Sequence, residues 1–441
     1  MSGPTPGPTT LLFTLGVGLS VIGCSWKSSM AGGGTGGAAA PGAGGSIGPG
    51  VDGSPDHGGS GGVTMADGAG ADAPQPYFRA SYHMGADITW VQHDEYYGAT
   101  YVDTDGTAKD ILVLLKNHGF NSVRMRAFVD PMANDGYDQF SGFGDKAHTV
   151  AMAQRLKAAN MGFYLAFHYS DNWADPGKQC IPQAWQGLQT IEAMATTLHD
   201  YTVDFLSALK AVGATPQFVQ VGNEITSGML IHICDANGTP MSTNPINGSV
   251  SNWPNLAMLL KAGIAAVKEV DPSIKTVLHI DRARDVNASA GFINGALAQN
   301  VSFEVFADSA YVYWHGQPAG WQNTFNTLVT MFPNLSFIIP EYGNETATDP
   351  PLTSTLRFVN DLIFNIPGNR GLGTWIYEPE HPFQAGPFAG MSLGIGLFEG
   401  ARSDAGVETG DSWPVFPARA GAMSTYDEMK AAYASRLQSA P

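Results

Sequence analysis

From Tyr77 to the C-terminus, short apolar runs alternate with longer amphipathic stretches, and this alternation narrows the fold more than any other feature of the chain. Eight runs read as strands: Met84–Thr89, Ser122–Phe128, Gly162–Tyr169, Phe218–Glu224, Thr276–Asp281, Ser309–His315, Ser336–Tyr342 and Gly371–Glu378. Between them lie amphipathic segments such as Ala108–His118, Ala147–Ala159, Thr190–Ala211, Leu256–Val270 and Thr324–Phe332. Several space their apolar residues at i, i+3 and i+4, one face of a helix. Strand–helix alternation implies parallel βαβ units. Eight such units predict an α/β fold of the (β/α)8 TIM-barrel type in a single catalytic domain, with its working face at the C-terminal ends of the strands. No GxGxxG or GxxxxGK[ST] opens a helix, which disfavours a nucleotide fold. The Gly- and Pro-rich stretch Pro382–Pro417 reads as the last βα loop, over that face.

The first 76 residues read differently. Leu11 to Gly23 is an apolar run too short to span a bilayer and about right for a signal segment. Val21-Ile22-Gly23-Cys24 resembles a bacterial lipobox, although Met1–Thr10 carries no Lys or Arg. Residues 25–76 are dominated by Gly, Ala, Ser and Pro and hold too few large apolar side chains to offset the entropy of ordering. The reading is therefore residues 1–24 as a lipoprotein-type signal, 25–76 as a flexible tether, and 77–441 as the barrel. It makes the protein secreted or held at a bacterial cell surface, touching membrane through an N-terminal lipid alone. A formal charge of −17 with no basic block excludes nucleic acid as a natural partner. Three cysteines without a CxxC give no thiolate metal site. Once Cys24 is lipidated or removed, Cys180 and Cys234 remain. They follow adjacent strands by similar distances, so an exported protein is expected to pair them; two free thiols are the alternative.

Two strands end in a carboxylate. The fourth, Phe218–Gly222, runs into Asn223-Glu224, and the seventh, Phe337–Pro340, runs into Glu341. A carboxylate beside a barrel core is costly unless paired or used. Either glutamate alone could sit in a structural ion pair, but the two facing each other across a barrel mouth suit glycosidic cleavage. That reaction needs one protonated carboxyl to protonate the leaving oxygen and one ionised carboxylate to attack the anomeric carbon or activate water. Retention would place the carboxyls about 5–5.5 Å apart. Arg124 and Arg126 alternate along the second strand and so face the same way; a guanidinium near Glu341 would keep it ionised. His168 shares its strand end with Asp171, Trp173 and Asp175, a set suited to sugar hydroxyls and an aromatic platform. Trp90, Trp173, Trp185, Trp314, Trp321 and Trp375 lie in or just beyond strands, divided between sugar stacking and core packing.

Gly85-Ala86-Asp87-Ile88, Asn121 to Arg126, His168 to Pro176 with Gln179, Pro182 and Trp185, Val221 to Ile225, Leu278-His279-Ile280-Asp281 and Glu378-Pro379 together resemble the endo-β-1,4-galactanases of glycoside hydrolase family 53. The likeness covers roughly residues 82–435 and is carried above all by the long HxSDxWADPxxQxxPxxW pattern. It implies retaining endo-hydrolysis of β-1,4-galactan, the type I arabinogalactan side chains of pectin, with Glu224 as acid/base and Glu341 as nucleophile. It further implies that Asn223 contacts the sugar 2-hydroxyl and that Arg126 with Tyr313 supports the nucleophile. Asp87, His168, Asp171, Trp173, His279, Asp281, Trp314, Tyr377 and Glu378 complete the expected substrate-binding set. No cofactor is implied. Some relatives carry a structural calcium in late loops, but Pro382–Pro417 lacks a clear acidic ligand run, so no metal ligands are assigned. Departures from the family pattern at Tyr313-Trp314-His315, Tyr342, Ile376-Tyr377 and Arg282 fall at expected subsites and bear on which β-glycan is cut. The expected partner is a β-linked plant polysaccharide, and the expected state a monomer. Another retaining β-glycanase, acting on mannan or xylan, would share the architecture. So would a non-catalytic glycan-binding barrel, though the presence of both Glu224 and Glu341 argues against it.

Overall fold

The computed structural model describes residues 78, 80–343, 349–380, 396–398 and 415–437. The segments read as signal and tether, and most of Pro382–Pro417, lie outside the described residues. Eight parallel strands form the barrel, each followed by a helix. In chain order they are β1 (His83–Asp87), α1 (Ile111–Asn117), β2 (Ser122–Ala127), α2 (Lys146–Ala158), β3 (Gly162–Phe167), α3 (Ile191–Ala211), β4 (Phe218–Val221) and α4 (Trp253–Val270). They continue with β5 (Lys275–Ile280), α5 (Val286–Ala298), β6 (Val305–Asp308), α6 (Pro318–Met331), β7 (Ser336–Gly343), α7 (Asp349–Phe364), β8 (Gly371–Tyr377) and α8 (Ala420–Ala432). Each strand pairs with the next, and β8 pairs back to β1, closing the ring.

The helices start where short polar side chains cap them. Asp110, Asp145, Thr190 and Asp285 accept backbone N–H groups at the starts of α1, α2, α3 and α5. Each such cap is worth about 1 kcal/mol. One face of each helix then seals the barrel wall. α3 buries Met194, Leu198, Phe205, Leu206 and Leu209, and α4 buries Leu256, Leu259, Leu260 and Val267. Burying a side chain of this size contributes about 1.5–3 kcal/mol.

Inside the ring an apolar plug of Tyr164, Phe218, Val277, Val305, Ala307, Ile338 and Trp375 fills the lumen. Trp375 dictates a neighbour: a Cβ on Gly85, its register partner on β1, would lie 2.1 Å from the indole. Along the strands beyond this plug the lining turns polar, and the fold supports the chemistry there.

The sixth strand lies earlier than its sequence suggests. Ser309–His315 alternates well enough to read as a strand. The ladder nevertheless uses Val305–Asp308, whose residues are all buried, and Val312–His315 is a helical turn. A two-residue strand, Ala310–Tyr311, lies along the end of β7. Burial between two neighbouring strands outweighs the β propensity of Tyr311 to Trp314, because the wall needs apolar side chains on both faces.

Candidate active site

The buried polar layer is organised by two arginines from β2. Arg124 sits directly across from Asp87 in the β1–β2 register, and its Nη1 donates to Asp87 Oδ2 at 2.5 Å. Its Nη2 reaches Asn223 Oδ1 at 2.9 Å, Gln220 Oε1 at 3.2 Å and Glu341 Oε1 at 2.9 Å. Arg126, two residues along, donates to Thr89 Oγ1 at 3.0 Å, Tyr377 Oη at 2.9 Å and Glu378 Oε1 at 2.5 Å. Both guanidinium groups are fully buried. Buried charges persist when paired and hydrogen-bonded, and each of these guanidinium groups has two carboxylate partners, Asp87 and Glu341 for Arg124, Asp87 and Glu378 for Arg126.

These contacts revise one expected role and add a residue to the set. Arg124, not Arg126, is the guanidinium on Glu341. Alternation put both on one face, but a strand advances about 6.6 Å over two residues, and Arg124 is the one level with Asn223 and Glu341. Tyr311 also supports Glu341, its hydroxyl donating to Oε2 at 3.0 Å. The side chain of Tyr313, expected in this role, lies outside the described residues.

Glu341 is 5% exposed and stands on β7 itself. Glu224 lies just past β4, half-buried, at a left-handed φ of 45°. Gly222 before it has φ 82°. Tyr169 and Glu378, just past β3 and β8, share this region at φ 48° and 39°. Non-glycine residues held there mark sites where the surrounding structure over-determines the backbone. For Glu224 part of that restraint is visible. Gln179 Nε2 donates to the main-chain oxygens of Asn223 at 2.8 Å and Glu224 at 3.3 Å. Gln179 precedes Cys180, which forms a disulfide with Cys234 at a Cα separation of 5.8 Å. Ile231 N–H donates to Gln179 O at 2.7 Å, so the loops after β3 and β4 are sewn together beside the glutamate.

Burial pushes both carboxyls above the usual range, and the charge of Glu341 adds to the rise at Glu224, followed by that of Asp281. Arg124 and, more weakly, Arg126 and the Tyr311 hydroxyl oppose the rise at Glu341, whereas Glu224 has Ser309 Oγ, 2.7 Å from its Oε1. The pair titrates together, and Glu224 is the member that keeps a proton while Glu341 carries the charge.

Asp87 is fully buried and engaged by Arg124 and Thr89. Asp171 caps backbone N–H groups of Asp130 and Gln183, at 3.0 and 2.8 Å, and its pKa is pushed up to about 6 by burial. His279 is also fully buried, hydrogen-bonded to Asn223 and Ser309. These three, expected to touch substrate, brace the residues that line the cleft. Asp281 accepts from Thr226 and from Arg282 Nη1. His168 Nδ1 accepts the Ala174 N–H at 3.0 Å, which puts the ring proton on Nε2; that atom has no protein partner among the described residues. Trp173 is half-buried, with the Arg126 guanidinium 4.3 Å from its ring centre. Trp314 is 56% exposed. Trp185, Trp321 and Trp375 are core residues, and Tyr342 points outward to hydrogen-bond Tyr426, away from any subsite. Sequence reasoning missed Gln220, Ser309 and Tyr311 as working residues, although Ser309 and Tyr311 fall in the run read as strand six. Among the described residues no three His, Cys, Asp or Glu side chains gather as a metal would require.

Residues 83–413 match the description of glycosyl hydrolase family 53. The chain is 33% identical over 317 residues to an endo-beta-1,4-galactanase of Bacillus subtilis (strain 168), covering 67% of this chain and 69% of that one. It is 30% identical over 322 residues to an arabinogalactan endo-beta-1,4-galactanase of Thermothelomyces thermophilus, covering 67% and 89%. The GH53 catalytic domain of Ignisphaera aggregans superposes with a TM-score of 0.62 at 26% identity, over 80% of this chain and 96% of that one. A fungal beta-1,4-galactanase shares the fold with a TM-score of 0.64 at 23% identity, over 78% and 98%. The chain belongs to glycosyl hydrolase family 53 and is a glycoside hydrolase.

Proposed function

We propose that this enzyme cleaves internal β-1,4-galactosidic bonds of galactan by double displacement with retention. Glu341 attacks the anomeric carbon while Glu224 protonates the leaving oxygen; Glu224 then takes a proton from the water that releases the glycosyl-enzyme. The observation that carries this reading is the unequal support of the two glutamates. Glu341 receives a guanidinium and a phenol, which favour an ionised nucleophile, and Glu224 sits in burial and like charge, which favour a proton. Arg124 also holds Asn223 Oδ1, and Asn223 Nδ2, which gives one hydrogen to Ala174 O, keeps a second for a sugar 2-hydroxyl. His168 Nε2–H and the Trp173 ring supply a donor and a stacking face. The galactan assignment is supported by the relatives named endo-beta-1,4-galactanase. Incubation with galactan, xylan and mannan, followed by product sizing, tests it. Short galacto-oligosaccharides from galactan alone are expected, and preferential cleavage of xylan or mannan would overturn the substrate.

We also infer that the enzyme acts as a monomer, exported and held by a lipid on Cys24, with residues 25–76 giving it reach. The apolar run before Cys24 and the Gly-rich composition after it support export, the anchor and the reach. Cys24→Ala should release the enzyme from the membrane fraction; unchanged fractionation would refute the anchor.

A further inference from the structure

The hydrogen bonds around Glu224 have a direction that can be worked out from groups able to play one role only. Asn223 Nδ2 donates to Ala174 O at 3.1 Å, so its Oδ1 is the atom facing Arg124 and Gln220. Gln220 is oriented likewise: its Oε1 accepts from Tyr164 at 2.6 Å and Arg124 at 3.2 Å, and its Nε2 donates to Gly222 O at 3.0 Å and Asn223 Oδ1 at 2.7 Å. Asn223 Oδ1 is therefore an acceptor, and His279 Nδ1, 3.2 Å away, must carry the ring proton to bond with it. The ring is buried and faces Arg124 and His315, which hold it neutral. Its Nε2 is then a bare acceptor. Ser309 Oγ, at 2.8 Å, has one hydrogen and gives it to Nε2. The same oxygen lies 2.7 Å from Glu224 Oε1 and can now only accept there.

We propose that Asn223, His279 and Ser309 form a one-way hydrogen-bond chain that holds the catalytic proton on Glu224. His279 and Ser309 are positioning residues in this scheme, which rests on Glu224 being the acid/base. In the resting cleft every donor in the chain meets an acceptor when Glu224 is protonated. When the proton leaves for the departing sugar oxygen, the Ser309 hydroxyl faces a choice. Staying on His279 points a lone pair at a carboxylate, and turning to the carboxylate leaves Nε2 buried without a donor. Either arrangement makes Glu224 a stronger base, as the second half-reaction requires when Glu224 accepts a proton from water. The other groups facing Glu224 are Glu341 on β7, Asp281 just past β5, Asp175 in the loop after β3, and Tyr311 beyond β6; His279 also faces His168. The carboxylates among them raise Glu224 by charge, and their effect does not depend on the tautomer of His279.

Two measurements test the chain. His279→Leu frees the Ser309 hydroxyl to donate to ionised Glu224. The alkaline limb of kcat/KM should then move to lower pH by about one unit, the size of one redirected hydrogen bond. An unmoved limb in an active, folded variant would overturn the proposal. Nitrogen-15 NMR of ring-labelled histidines in the unsubstituted enzyme needs no variant. One buried ring should keep Nδ1 protonated and Nε2 bare from about pH 5 to 8, and its signals should vanish in His279→Leu. The opposite tautomer or a charged ring would overturn the chain. Failure to cut galactan would instead sink the substrate assignment and leave the tautomer result standing.

Discussion

Arg124 Nη2 lies 2.9 Å from Glu341 Oε1 while Nη1 of the same guanidinium holds Asp87 at 2.5 Å. One buried cation thus fixes a carboxylate at the floor of the cleft and another at its reacting edge. Arg124→Ala would remove the nearest cation from both, leaving Asp87 with Arg126 at 3.5 Å and Glu341 with the Tyr311 hydroxyl. Breaking one partner of a buried pair costs about 3–5 kcal/mol. Thermal melting should register a loss of this order, and kcat/KM should fall by about 10³-fold or more if even 4 kcal/mol of that support is felt at the transition state. A variant with unchanged melting and activity would show that Glu341 does not need the guanidinium.

Tyr311→Phe removes a single donor from Glu341 and little volume. Stability should change by about 1 kcal/mol or less, since a typical hydrogen bond is worth that much net. Galactan turnover should fall roughly 10- to 100-fold, because a hydrogen bond to a charged group contributes about 1.5–3 kcal/mol. Steady-state kinetics beside a melting curve separates the two effects. A matching loss in both would make Tyr311 a packing residue.

The pH dependence follows from Glu224. Its carboxyl is raised above the ordinary range, first by burial and then by Glu341 and Asp281. Stability linked to the protonated form is present below the ordinary carboxyl pKa and is lost as pH rises through the folded value. Activity that needs the acid falls over the same upper window. Glu224→Ala should abolish this alkaline limb and slow substrates with poor leaving groups far more than activated aryl glycosides. Equal losses on both substrates would contradict its role as acid.

The Cys180–Cys234 disulfide closes a span of 54 residues. The chain-entropy view gives roughly 4 kcal/mol as an upper figure for its contribution. Because Gln179, next to Cys180, grips the backbone of Asn223 and Glu224, reduction should do more than lower the melting temperature. The double variant Cys180→Ser, Cys234→Ser should lose kcat at temperatures well below its melting point. Full kcat in the folded variant would confine the bond to stability.

Much of this is legible in the sequence. Period-two and period-3.6 patterning located seven of the eight barrel strands within a few residues, since each must be apolar to be buried on both faces. Glu224 and Glu341 stood out because an apolar strand ending in a carboxylate is costly by default. What patterning could not supply was depth. Arg124 and Arg126 share a face, and which one meets Glu341 depends on the stagger of β2 against β7. His279, Asp171 and Asp87 carry the chemistry of sugar contacts, yet they are spent on neighbours, a fact of packing with no trace in spacing. Ser309 was hidden for a related reason. Its run alternates like a strand, whereas Ser309 itself stands one step beyond β6 at the mouth.

The most direct test of the account is covalent trapping. A 2-deoxy-2-fluoro-β-galactobioside with a dinitrophenyl leaving group should form a long-lived glycosyl-enzyme, because fluorine slows both displacements and the activated leaving group restores only the first. Peptide mass spectrometry should place the added disaccharide on Glu341, and NMR of early galactan digests should show the β-anomer first. A label on any other residue, or no label together with an α-anomeric first product, would contradict the assignment of Glu341 as nucleophile of a retaining enzyme.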